Sequence, residues 1–150
     1  MDEDAARSAF ETALATHVPA FETFFLARLL GAEISYTQES CIVEIPVHDF
    51  MYNPQGSLHG GVIAFALDVS MGHLIHHTIG RAAITLEMKI QYIRPALSGR
   101  VRCEGRFLKR GRNISYLESR MTDADGKLVA VATSTWQMPK DAGDERDQRT

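Results

Sequence analysis

Apolar residues recur at helical spacing over the first thirty residues and alternate through the next stretch. They then fill one long segment almost continuously and alternate again towards the end. Near the start, Phe10, Leu14 and Val18 fall close to one helical face, and Pro19 interrupts the pattern. "AFETFFLARLL" reads as a second short helix ending at Gly31. "AEISYTQES" and "CIVEIPVHD" read as two strands that can pair as a hairpin. Residues 48–57, with Asn53, Pro54 and Gly56, read as a loop. From Ser57 to about His77 nearly every side is apolar, which predicts a long enclosed helix with Ser57 as N-cap and Gly80 just past its end.

The second half predicts strands throughout. "AITLEMKIQYI" sets Ile84, Leu86, Met88, Ile90 and Tyr92 against Thr85, Glu87, Lys89 and Gln91. "RVRCEGRFL" alternates in the same way, "NISYLESRMTD" follows the turn "KRGRN", and "KLVAVATSTW" follows "DADG". The last strand is apolar on both faces through Val131, which predicts a central place in the sheet. The expected layout is two strands, the long helix, then four strands in an antiparallel meander, with the sheet curved round the helix. This is an α+β single domain over 31–138, preceded by a helical segment at 1–30 and followed by a charged, disordered tail at 139–150.

Composition narrows the function classes. The formal net charge of -3 gives no general basic field for nucleic acid. No uncharged apolar run approaches ~18 residues, so a membrane span is not expected. The acidic start "MDEDAARSAFETALATH" lacks the pattern of a signal peptide. Cys41 and Cys103 form no CxxC pair and read as free, buried thiols in a reducing compartment, by default the cytoplasm.

The segment "NPQGSLHGGVIAFALD" breaks two local rules. Gly60 and Gly61 open a helix, where each glycine costs roughly 1 kcal/mol relative to alanine. Helix starts carry unpaired N–H groups and positive potential. Two glycines there suit close approach by a phosphate or by the oxygen of a carbonyl under attack, or else close packing on a strand. Asp68 lies in an apolar run, either as a structural carboxylate satisfied by a neighbour or as a general base or nucleophile. Gly61 and Asp68 are about 10.5 Å apart along one helix at about 1.5 Å per residue. Groups so placed reach one substrate only if they come from two copies of the chain, which makes the enzyme reading a dimer prediction.

Asn53, Gly56, His59, Gly60 and Gly61, followed by Asp68 and the strand "ITLEMKIQYIRPA", resemble the hotdog-fold acyl-CoA thioesterases, in particular the phenylacetate-pathway type. The resemblance runs from about Gly31 to Met138. It implies a six-stranded antiparallel sheet around a central helix, and homodimers, commonly paired into tetramers, with sites at the subunit interface. By the same resemblance, Gly60 or Gly61 N–H polarises the thioester oxygen and Asn53 orients water or thioester. His59 holds the helix start, and Asp68 of the partner subunit is base or nucleophile. Thr85 aligns with a hydroxyl residue that assists the acid in part of the family; lying opposite Ile84, Leu86 and Met88, it reads as facing an interface or solvent.

The expected substrate is an aromatic or medium-chain acyl-CoA, with no further cofactor and no metal. Arg94, Lys109, Arg110 and Arg112 are the candidate contacts for the coenzyme A phosphates, with a solvated basic turn as the alternative. Phe50, Met51, Tyr52, Met71 and Leu74 line the acyl pocket or belong to the core. His73, His76 and His77 share spacing compatible with zinc, but no HExxH accompanies them, and a place near the helix end suits the dipole. A hydratase or dehydratase of the same fold and a non-catalytic acyl-CoA binder are the other readings, and Asp68 speaks for hydrolysis.

Overall fold

The computed structural model describes residues 1–140. Helix α1 spans Glu3–Thr16 and is capped by Asp2, whose side chain accepts from the Ala5 N–H. Its backbone start is tied to the Asp49 carboxylate by the Asp2 N–H at 2.9 Å and 3.0 Å. The second helix, α2, is shorter than the apolar run suggests, covering only Phe25–Leu29, because residues 19–24 form turns.

Strands β1 (Glu33–Tyr36) and β2 (Ser40–Pro46) form the expected hairpin. A single 3-10 turn at Asp49–Met51 leads through the loop to α3, Gly60–Ile79. Strands β3 (Ile84–Tyr92), β4 (Arg100–Lys109), β5 (Ile114–Thr122) and β6 (Leu128–Gln137) follow. All six strands form one antiparallel sheet in the order β1-β2-β4-β5-β6-β3. The last four strands are therefore not a simple meander. The chain leaves α3 at the far edge of the sheet, and β6 closes between β5 and β3. Alternation marks a strand but does not choose its neighbour.

By length and apolar composition alone α3 would pass for a membrane span, yet half of it is buried against the sheet. It is a core helix. Leu67, Met71, Leu74 and Ile75 are fully buried against β-strand residues such as Val43, Val101, Leu117 and Val129. The closest approach is at Gly105 on β4, where a Cβ would stand 2.6 Å from the Ser70 carbonyl oxygen. Ser70 also exchanges a 2.7 Å hydrogen bond with Ser119 on β5, so helix and sheet are pinned at one point. Cys41 and Cys103 are buried free thiols, and burial pushes the Cys41 thiol up to about 12.

Helix α3 begins later than the Ser57 cap would have it. His59 is the N-cap, its Nδ1 accepting from the Gly61 N–H at 2.8 Å. Ser57 is instead bound to Asn53, accepting the Nδ2 hydrogen on its hydroxyl at 3.1 Å and giving its backbone N–H to Oδ1 at 3.3 Å. The far end closes as expected at Gly80, in the left-handed region at φ 71°.

Candidate active site

The start of α3 and the strand end beside it bound a cleft of about 520 Å³ lined by Asn53, Gly60, Gly61, Tyr92 and Arg94, among others. Asn53 shapes its own loop: Oδ1 accepts from the Gln55 N–H at 2.9 Å as well as from Ser57. Tyr92 was not singled out from sequence for this place. Its hydroxyl donates to the Gly60 carbonyl at 3.1 Å, and its ring lies 3.4 Å from where a Gly60 Cβ would be. The only hint was its position at the end of the alternating run.

The two glycines are not equivalent. Gly61 spends its N–H on the His59 cap, and a Cβ on Gly61 would stand 3.1 Å from His59 Nδ1. Among the described residues no acceptor takes the Gly60 N–H, which stands at the positive end of a twenty-residue helix.

Asp68 and Thr85 form a second group further along α3. The Thr85 hydroxyl donates to Asp68 Oδ1 at 3.0 Å. Thr85 thus turns its hydroxyl to helix α3 and is not an ordinary outward residue of the strand, and a β-bulge is the reason. Thr85 pairs with Trp136 and Glu87 with Thr135, leaving Leu86 as an extra residue. The bulge turns Thr85 and Met88 to the same face although they are three apart, and leaves Ile84 65% and Leu86 52% exposed. Asp68 is half-buried, and the loss of water raises its carboxyl above the ordinary aspartate range while the Thr85 hydrogen bond pulls it down.

The basic turn lies elsewhere. Arg110 lines a separate cavity of about 470 Å³ with Leu74 and Thr78, near the other end of α3. Thr78 is about 27 Å along the helix from Gly60 at about 1.5 Å per residue. Lys109 and Arg112, on the same turn, are exposed. Within one chain, only Arg94 of the four basic candidates shares the cleft with the glycines. Met51 and Met71 are core residues, and Leu74, also buried, floors the Arg110 cavity.

The histidines do structural work. His73 is buried, at 5% exposure, and its Nε2 accepts the Glu22 N–H at 3.1 Å, while His76 is partly buried and His77 exposed. His76 stacks on Phe21 and His77 on Tyr36, with ring centroids 3.7 Å and 4.1 Å apart. Sequence reading missed this clasp because its partners lie about fifty residues away.

A sequence model of the thioesterase superfamily matches residues 55–130. A Saccharolobus solfataricus protein named as an esterase is 35% identical over 105 residues, covering 69% of this chain and 74% of that protein. Acyl-coenzyme A thioesterase 13 of Mus musculus is 30% identical over 105 residues, covering 68% and 75%. Among solved structures, a Ralstonia eutropha protein described as a thioesterase related to phenylacetic acid degradation aligns with a TM-score of 0.71 and 30% identity. The alignment covers 87% of this chain and 99% of that one.

Proposed function

The chain belongs to the thioesterase superfamily, which makes it a thioester hydrolase, and from that premise we propose that it cleaves an acyl-CoA to the free acid and coenzyme A. The observation that carries the reading is the division of labour along α3. Among the described residues no acceptor takes the Gly60 amide, and a half-buried, threonine-bound carboxylate stands at Asp68. They are about 12 Å apart along the axis, too far for one carbonyl.

Two copies with α3 antiparallel bring the Gly60 cleft of one against Asp68 of the partner subunit. The open edge of β3, bare at Ile84 and Leu86, supports a contact between copies on this side. The thioester oxygen then sits on the Gly60 N–H, where the helix dipole favours developing negative charge. Thr85 holds one oxygen of the Asp68 carboxylate, and the other takes a proton from water. The hydroxide adds to the carbonyl carbon and gives a tetrahedral oxyanion. Its collapse breaks the C–S bond, and the departing thiolate of coenzyme A takes the proton that Asp68 holds. His59 keeps the helix start in shape, and Asn53 has a second amide hydrogen for the water or thioester.

Arg94 suits a coenzyme A phosphate from within the cleft. Lys109, Arg110 and Arg112 reach the same substrate only from the partner, whose helix end and β4–β5 turn come up against the 48–57 loop in the antiparallel register. A non-catalytic acyl-CoA binder has no use for the Asp68–Thr85 pair.

The test is free-thiol release by the purified chain across aromatic and straight-chain acyl-CoA thioesters. Turnover of at least one class is expected; silence across the whole panel would reject the reading.

A further inference from the structure

We propose that Tyr92 is a positioning residue for the hydrolysis: its hydroxyl, bound to the Gly60 carbonyl, holds the first turn of α3 where the Gly60 N–H meets the thioester oxygen. This role rests on the acyl-CoA hydrolase reading and adds to it a side chain that acts through the backbone of Gly60.

Four amides open α3, and three of them are already spent. Gly61 donates to His59 Nδ1 at 2.8 Å, while Val62 and Ile63 donate to the His59 carbonyl at 2.9 Å and 3.2 Å. Among the described residues no acceptor takes the fourth, on Gly60. His59 thus shapes the turn from within and leaves one donor open. Two adjacent glycines make such a turn easy to distort, because neither has a Cβ to restrict its backbone. Helix ends also fray.

Tyr92 supplies the tie from outside. It donates to the Gly60 carbonyl at 3.1 Å, with its ring 3.4 Å from the place of a Gly60 Cβ. The carbonyl it holds belongs to the Gly60–Gly61 peptide, whose N–H is the one that His59 Nδ1 accepts. That peptide is therefore gripped at both polar ends, by strand β3 and by the cap. The Gly60 N–H, on the other side of the Gly60 Cα, keeps its direction with it. Strand β3 is firm at this point: Tyr92 pairs with Ala130 of β6, and the Ile93 and Arg94 N–H groups both donate to the Val129 carbonyl, at 2.9 Å and 3.1 Å.

The bulge at Leu86 gives β3 a second use. Thr85 and Tyr92 differ by seven positions, and in a regular strand such residues face opposite sides of the sheet. The extra residue sets both on the inner face, Thr85 beside buried Trp136 and Tyr92 beside buried Ala130. One strand thus places a hydroxyl on Asp68 near its start and another on Gly60 at its end, at 3.0 Å and 3.1 Å. Packing does not account for the second hydroxyl. Tyr92 is 56% exposed and its hydrogen bond is open to water, so the fold gains little from it.

The experiment compares the full chain with Tyr92→Phe, which keeps the ring and removes the donor, on octanoyl-CoA and phenylacetyl-CoA. The kcat should fall about tenfold or more, since misplacing a reacting group by about 1 Å costs on the order of 10²-fold. KM should stay within about twofold, and the melting temperature should not move. In a Gly60→Ala background, adding Tyr92→Phe should cost less than about twofold more, because both changes act on one donor. Equal kcat in wild type and Tyr92→Phe overturns the role, as does a rise in KM with kcat intact. So does a loss that persists whole in the Gly60→Ala background. Amide exchange followed by NMR reads the grip without turnover: the Gly61 N–H should exchange about tenfold faster in Tyr92→Phe. If the wild-type chain releases no thiol, the hydrolase reading fails by itself, and unchanged Gly61 exchange then overturns the grip of Tyr92 while faster exchange upholds it.

Discussion

At the level of single residues the outcome hangs on how Asp68 and Gly60 are dressed. Burial lifts the Asp68 carboxyl and the Thr85 hydroxyl opposes it. The ionised form is the one that accepts a proton, so kcat/KM should fall as pH drops through the Asp68 pKa. Thr85→Val removes the lowering influence and should move this acid limb to higher pH; an unmoved limb in the pH–rate profile would separate Thr85 from the acid. Asp68→Asn should cost about 10²–10⁴-fold in turnover. Because the folded-state pKa is raised, the protonated form stabilises the fold below the ordinary aspartate range, and that benefit is lost as pH rises through the folded pKa. The amide variant should therefore melt at the same temperature or higher at neutral pH, with the margin shrinking on acidification. At Gly60 an added Cβ meets Tyr92 at 3.4 Å, an ordinary contact. Gly60→Ala should accordingly leave the melting temperature unchanged or slightly raised while lowering turnover on the order of 10²-fold. A variant that unfolds but keeps its specific activity would make Gly60 a packing residue.

Among the elements, helix α3 and strand β4 set the geometry of everything else. Their close approach needs Gly105, since a methyl there would collide with Ser70 backbone at 2.6 Å. Gly105→Ala should destabilise the chain by about 1–3 kcal/mol, measured by denaturant titration. Unlike Gly60→Ala, it should lower stability before it lowers chemistry. In sequence Gly105 looks like an ordinary residue of an alternating strand, because the backbone it must admit is thirty-five residues away. The bulge at Leu86 was equally hidden. Strict alternation over Ile84–Tyr92 reads as one stripe, but the pairing with β6 inserts one residue and reverses the face on which Thr85 lies. Conversely, the extent of α3 and its glycine end were legible, since enclosure and chain reversal leave local marks in composition.

At the scale of the whole molecule, one chain holds the Gly60 cleft, the Asp68–Thr85 pair and the basic turn at three separate stations of one helix. If two copies share each site, Asp68→Asn and a bulky Gly60→Val variant should each be inactive alone. Mixed through reversible unfolding, they should regain roughly a quarter of wild-type activity, because half the dimers are mixed and each has one intact site. No recovery in a sample shown to contain mixed dimers would place both groups in one protomer. The sheet order belongs to this scale too: only the path of α3 across the sheet puts β3 at the edge, where an exposed apolar strand can meet another copy.

The amino-acid order by itself determined which segments are helix and which are strand, that the long helix is enclosed, and that Gly60, Gly61 and Asp68 are chemically out of place. These follow from period, capping and burial cost, all of which act over a few residues. Tertiary structure alone decided that His59 and not Ser57 caps the helix, that Thr85 serves Asp68, that β6 lies between β5 and β3, and that His73 clasps Glu22. Each of these depends on which distant backbone or side chain arrives beside a residue. Local pattern carries no record of that arrival.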